Sequence, residues 1–372
     1  VTRVSAAFLG VFLVAACAPT STPPSGSVTS NASPTSSTLP TSAPSQPSPS
    51  AVPTPSSTAR ADYADVAGRL LVQHFGNALD GTELDSVNYH AERARFYLMN
   101  PDGSALKELL PGQPTAGENM ADISPDGTKV VFQDWPETAA PKIYEAHLDG
   151  SGFHVISTPC DCLEQDPAYS HDGARIAFTR QVGNKRQVGI CDLATADVTL
   201  LPGTEGTDNG TGGDMPEQPA WSPDGRSIVY SMMKRRDDGH LGSTRIEIIN
   251  VKSTVVTELP IPPALSVGEP KFSPDGWLIL VASRPGYATI GEAFGDVYTI
   301  HPDGTALTLL TEDEGTGASW TPDGKHIIYY AQNQIWLMDP DGRNKALWSH
   351  SGPDLSTTEK GFGYTTYWIP VS

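Results

Sequence analysis

The chain has 372 residues and a formal net charge of −19, with 43 acidic against 24 basic side chains. No Lys/Arg run interrupts that balance, which excludes binding to a nucleic-acid backbone and leaves cations and basic partners as the species its field attracts. The length exceeds what one hydrophobic core usually fills, so several domains or one repeat array are expected.

The first 17 residues read as a targeting segment. Arg3 is the only early charge, and Ala6 to Ala16 form an apolar run too short to span a bilayer. Val1 is read as standing for a non-methionine start codon, consistent with a complete N-terminus. The run ends in Val14-Ala15-Ala16-Cys17, which resembles the bacterial lipobox. That resemblance implies cleavage before Cys17 and a diacylglycerol on its thiol, hence a lipoprotein held at the cell membrane on its extracytoplasmic face. The alternative is a secretory signal with an incidental cysteine. Residues 18–59 contain no Asp, Glu, Lys or Arg and consist mostly of Ser, Thr, Pro and Ala. Such a stretch cannot bury enough apolar surface to offset its ordering entropy. Residues 18–62 are therefore expected to be a disordered tether, with the folded domain over 63–372.

That domain is organised around one motif. Trp221-Ser222-Pro223-Asp224-Gly225 recurs as Phe272-Ser273-Pro274-Asp275-Gly276 and Trp320-Thr321-Pro322-Asp323-Gly324, with looser copies at 123–127 and 169–173. The third positions are spaced by 46, 52, 51 and 48 residues, and a period near fifty indicates a repeat architecture. Within each copy Pro pre-sets φ, Asp can accept from the following backbone, and Gly accepts positive φ, so the motif is a turn. A β-rich run follows it, then an alternating strand such as Arg245–Asn250, a second turn, and a short last strand. Four strands in about 44 residues suggest propeller blades. A sixth unit begins at Gly68–Gln73 without an inner strand before it. The missing strand is Tyr364–Ile369, whose Trp368 and Pro370 align with Trp221 and Pro223. The expected fold is an all-β, six-bladed β-propeller with four-stranded blades, closed by the C-terminal strand joining the first blade.

The aromatic-Ser-Pro-Asp-Gly motif, with its aliphatic–aromatic strand and second Asp-Gly turn, resembles the TolB-like (PD40, WD40-like) propeller family over about residues 68–370. The resemblance implies envelope-associated protein binding. The helical N-terminal domain of the family's namesake has no counterpart here, where a tether is expected instead, so that protein's partner does not transfer.

The motif Asp and aromatic residues read as scaffold, one per blade. Function is expected on the opposite face, where loops such as 76–92, 133–141, 203–215, 234–243 and 284–295 vary in length. Glu118, Asp166 (with Glu164), Glu217 and Glu269 precede inner strands and are expected near the channel mouth, where they could form a solvated acidic rim, hold Ca²⁺ or Mg²⁺, or take a basic peptide. The stretch 208–214 looks like a calcium loop but lacks its terminal Glu. Cys160, Cys162 and Cys191 allow one internal bridge at most; Cys160–Cys162, or reduced thiols, fit better than a bridge to Cys191. No Gly-x-Ser-x-Gly, His-Glu-x-x-His or phosphate-binding Gly-Lys motif is present. The leading expectation is a surface-anchored, non-catalytic, monomeric lipoprotein that binds a protein or envelope component. The rivals are a channel-site enzyme, such as a metal-assisted lyase or hydrolase on sugars or lactones, and a ligand sensor.

Overall fold

A computed structural model describes residues 60–61, 68–74, 95–100, 104–111, 118–134, 140–156, 160, 162–208, 212–235, 241–283, 295–312, 315–331, 334–348 and 362–369. Cys17, the lipobox, residues 18–59 and the 76–92 loop lie outside the described residues.

The described residues form six sheets, antiparallel except for one short edge pair, and no helix. Blade two is representative: β5 (Glu118–Ile123), β6 (Lys129–Asp134), β7 (Lys142–His147) and β8 (His154–Val155). Blade three follows with β9 (Leu163–Tyr169), β10 (Arg175–Val182), β11 (Lys185–Asp192) and β12 (Val198–Leu200), to which β13 (Gly206–Thr207) adds by pairing with β11. Blade four is β14 (Gly213–Trp221), β15 (Ser227–Arg235), β16 (Leu241–Asn250) and β17 (Val256–Glu258). Blade five is β18 (Ser266–Phe272), β19 (Leu278–Ser283), β20 (Asp296–Ile300) and β21 (Thr308–Leu309). Blade six is β22 (Thr316–Trp320), β23 (Ile327–Ala331), β24 (Gln334–Met338) and β25 (Ala346–Trp348). Its outer edge is extended by β1 (Arg60–Ala61), parallel to β25. β1 thereby covers an edge that β25 would otherwise leave open.

Blade one is assembled from both ends of the domain. β2 (Arg69–His74) pairs with β3 (Arg95–Met99) on one side and with β26 (Phe362–Ile369) on the other; β4 (Lys107–Glu108) completes the sheet. The register sets Arg69 opposite Ile369, Leu70 opposite Trp368 and Leu71 opposite Tyr367. The closing strand is therefore the one the repeat spacing predicts.

Six apolar clusters hold the six interfaces between neighbouring blades. The closing interface joins Leu70, Val72 and Met99 of blade one to Ile328, Tyr330, Ile335 and Leu337 of blade six. Trp221 and Trp320 of the motif are buried in the interfaces between blades three and four and between five and six. Arg175 of blade three stacks over the Trp221 ring at 4.4 Å.

The motif turns repeat one hydrogen-bond pattern. The Ser or Thr hydroxyl donates to the Asp two residues on, at 2.6 Å for Ser124–Asp126 and 2.7 Å for Ser222–Asp224. The same hydroxyl accepts a backbone N–H at the start of the next strand, from Lys129 at 2.9 Å and Ser227 at 3.0 Å. Hydrogen bonding from the hydroxyls holds the Asp126, Asp172 and Asp224 carboxyls below the usual range. These aspartates are occupied by the turn they build.

Candidate functional site

Every inner strand carries a β-bulge, visible as a register shift against its neighbour. In five blades the bulged residue has positive φ: Met120, Asp166, Gln218, Glu269 and Gly317. Each lies five residues before the third position of the motif. Pro167, Pro219 and Pro270 follow three of them, since a bulge tolerates a residue that cannot donate to the ladder. The αL conformation costs energy for a residue with a side chain. Here it is offset by a latch between blades. Asp166 Oδ2 accepts the Gln218 N–H at 3.3 Å, Gln218 Oε1 accepts the Glu269 N–H at 3.0 Å, and Glu269 Oε2 accepts the Gly317 N–H at 3.1 Å. Met120 has no acceptor oxygen, and Gln133 of β6 serves in its place, taking the Asp166 N–H at 2.8 Å. A side-chain oxygen at this position therefore ties blade three to four, four to five and five to six. The signal for it in the sequence is the constant offset from the motif.

The four acids singled out by sequence occupy different positions around this latch. Asp166 and Glu269 are bulge residues. Glu217 precedes the bulge by one residue, and Glu118 stands at the start of β5 opposite Asp134. Asp166 and Glu217 meet over Arg186 of β11, whose guanidinium lies 3.3 Å from Asp166 and 3.0 Å from Glu217 and also donates to Thr179 Oγ1 at 3.0 Å. Glu164 has a different partner, Arg180, which donates to one of its carboxylate oxygens. Among the described residues the acids form no group of three with ligand oxygens within 4.8 Å of one another. An arginine and backbone donors occupy oxygens that a shell of six to eight around Ca²⁺ would need. In the 208–214 stretch, Asp214 pairs with Arg245 at 3.1 Å. Gly213 there has φ of +121° and approaches Thr207 so closely that a Cβ would collide with its carbonyl, so the glycine serves strand packing.

Beside the latch, the inner strands of blades two to five line an axial cavity of about 110 Å³. Its walls are Pro167, Ala168, Pro219, Ala220 and Pro270, and its polar groups include Asp122, Asp166, Glu269 and Lys271. Asp122 is the group sequence reasoning missed. Its Oδ1 accepts the Ile123 N–H and its Oδ2 the Tyr169 N–H of the next blade, at 2.9 and 2.8 Å. Burial nonetheless raises its carboxyl to about 6, against the pull of those donors and of Lys271. Glu269 is raised by the same cause, and burial pushes the Lys271 ammonium down against the attraction of both carboxylates. The cavity thus holds an amine together with acids from blades two and five; its apolar walls disfavour each charge alone and strengthen the attraction between them.

This titration has a measurable sign. Asp122 holds its proton more tightly folded than unfolded, so its contribution to stability is full below about pH 4 and is lost as pH rises through about 6. The turn aspartates act the other way, since their folded carboxyls are lowered; their contribution disappears on acidification below about pH 4. Urea midpoints are expected to decline from pH 5 to pH 7, and Asp122→Asn to flatten that decline whatever its effect on absolute stability. An unchanged slope in the variant would assign the titration elsewhere.

No family model matches the chain. Tol-Pal system protein TolB of Francisella tularensis subsp. mediasiatica (strain FSC147) is 28% identical over 195 residues, covering 52% of this chain and 41% of that protein. The crystal structure of TolB from Acinetobacter baumannii matches with a TM-score of 0.58 over 82% of this chain and 68% of that one, at 21% identity. This chain is a six-bladed β-propeller similar to that of TolB. A second curated relative, the uncharacterized peptidase YuxL of Bacillus subtilis (strain 168), is 28% identical over 194 residues, 50% of this chain and 26% of that protein. The chain spans less than half the length of the curated relatives it matches. The likeness to TolB therefore describes the repeat and the fold, and a fold by itself does not assign a function.

Proposed function

We propose that this protein is an extracytoplasmic, lipid-anchored lipoprotein whose TolB-like propeller binds a protein partner or envelope component without catalysing a reaction. In this reading residues 1–17 deliver the chain and Cys17 carries the lipid. Residues 18–62 hold the propeller off the membrane, and one propeller acts as a monomer. The observation that carries the binding role is the axial cavity. Its lining holds three carboxylates (Asp122, Asp166 and Glu269) against one lysine, among proline and alanine walls. Such a site favours a basic or amine-bearing segment of a partner. The TolB likeness supports an envelope setting. The rival channel enzyme would need a metal, a nucleophile or a general base directed at a substrate; in the structure, Arg186 and the latch engage the acids such a site would use.

The test is photo-cross-linking capture from intact cells with the full-length protein. The double substitution Asp122→Asn, Glu269→Gln is expected to lower recovery of the cross-linked partner at least about tenfold, by removing the charges that attract it. Recovery equal to wild type, with the variant folded, would remove the cavity from the binding site. Calcium or magnesium at one equivalent, lost on Glu217→Ala and Glu269→Ala, would favour the enzyme instead.

A further inference from the structure

The two cysteines of the link between blades two and three form a disulfide, Cys160–Cys162, while Cys191 is a free, buried thiol. The surroundings of the pair are unlike those of a structural bridge. The Lys142 ammonium, at the start of β7, lies 3.3 Å from Cys160 Sγ and 3.4 Å from Cys162 Sγ. The Cys160 and Cys162 carbonyls accept from the same amine, each at 3.1 Å, and fix it there. Glu164 is wholly buried; Arg180 engages its Oε1. Its Oε2 has no hydrogen-bond partner and faces Lys142 at 4.0 Å. Cys160 Sγ, Cys162 Sγ and a Glu164 oxygen all lie within 4.8 Å of one another. Cys160 is open to solvent and Cys162 is buried. A bridge across two intervening peptide bonds closes a very small loop, so it restricts the unfolded chain little and adds little stability.

We propose that Cys160–Cys162 is a thiol–disulfide exchange site, with Cys160 as the attacked sulfur and Lys142 as the positioning residue for the departing Cys162 thiolate. An incoming thiolate attacks Cys160 Sγ and forms a mixed disulfide. The Cys160–Cys162 bond breaks, and its electron pair passes to Cys162 Sγ, which becomes a thiolate beside the ammonium. A second thiolate attacks the sulfur of the bound thiol and releases Cys160. Two thiols are oxidised to a disulfide, the cysteine pair is reduced by two electrons, and the two protons lost by the thiols balance those the pair takes up. An adjacent ammonium stabilises thiolate over thiol, so it accelerates departure and favours the reduced pair. Burial of Cys162 keeps the second sulfur from competing for the incoming thiol. The Glu164 carboxylate, without a hydrogen bond of its own on Oε2, lies 4.0 Å from the Lys142 ammonium and helps hold it beside the two sulfurs.

The test uses the full-length protein equilibrated in glutathione buffers of defined ratio, with thiols trapped by alkylation and read by mass spectrometry. The pair is expected to be half-reduced within the accessible glutathione range. Lys142→Gln is expected to demand at least a threefold more reducing ratio, and Lys142→Arg to stay within twofold of wild type. A pair that stays closed at the most reducing ratio, or a Lys142→Gln variant identical to wild type, would overturn the proposal. Should Lys142→Gln not fold, the pH dependence of Cys160 alkylation in the reduced wild type decides. A midpoint at least one unit below the ordinary thiol value of about 8.5 supports the site, and an ordinary midpoint refutes it. Tight uptake of one zinc ion by the reduced protein, blocking exchange with glutathione, would also refute it.

Discussion

Deleting residues 362–372 is expected to abolish the cooperative thermal transition of the propeller and to drive the protein into soluble aggregates. The strand lost, β26, supplies the inner strand of blade one and pairs with β2 along Leu70, Leu71 and Val72. It also packs against the inner strands of both neighbouring blades, β22 and β5. Each ladder hydrogen bond contributes about 1 kcal/mol net, so the ladder alone approaches the stability of a whole domain, roughly 5–15 kcal/mol. The deletion further exposes the edge of β2, whose residues Leu70, Leu71 and Val72 are almost wholly buried in the intact ring. An unpaired apolar edge is a template for association with another chain. Circular dichroism melts and size-exclusion chromatography would check this. A truncated monomer melting within about 5 °C of the intact chain would show that the ring is held shut by other contacts.

Arg186→Met is expected to destabilise the propeller by about 3 kcal/mol. The side chain is 7% exposed and bridges Asp166 and Glu217, at 10% and 20%. Methionine fills much of the volume but leaves Asp166 and Thr179 without their cationic partner. Removing one member of a buried ion pair costs about 3–5 kcal/mol, because the remaining charge stays desolvated. The lower figure applies here because Glu217 reaches water. Asp166 also accepts the Gln218 N–H, so any movement it makes loosens the latch between blades three and four. Adding Asp166→Asn to Arg186→Met should recover part of the loss, since the orphaned charge is then gone. Urea unfolding of the three proteins gives the comparison; equal midpoints for wild type and Arg186→Met would mean the network contributes nothing net.

The repeat is legible in the residues because its requirements are local. Ser222, Asp224 and Gly225 build a turn from their own hydroxyl, carboxylate and backbone freedom, so the residues needed appear in order wherever the turn occurs. The latch is less legible because any acceptor oxygen suffices. Asp, Gln and Glu fill it in successive blades, and at Met120 the acceptor comes from Gln133 of another strand. Charge alone therefore picks out Glu118 and Glu217, which stand one or two residues away from the latch position. A shift of one residue along a strand sends a side chain to the other face, and Glu217 accordingly meets Arg186 rather than the next blade. Asp122 escapes notice for the reverse reason. Its position in the looser motif copy, directly before Ile123, gives no hint of a group whose proton affinity is raised by burial.

By itself the sequence determined the number of blades, the face occupied by the turns and the strand that closes the ring. Turn chemistry and strand alternation act over a few residues, and a fixed spacing carries them around the whole circle. Only the tertiary structure decided which charges meet. Lys271 faces Asp122 from three blades away, Arg186 unites acids on two different inner strands, and Lys142 comes to rest on the Cys160–Cys162 bridge. These pairings follow from the closure of the ring, which brings distant segments into one low-dielectric interior where a neighbour a few ångströms away decides how each buried charge is compensated.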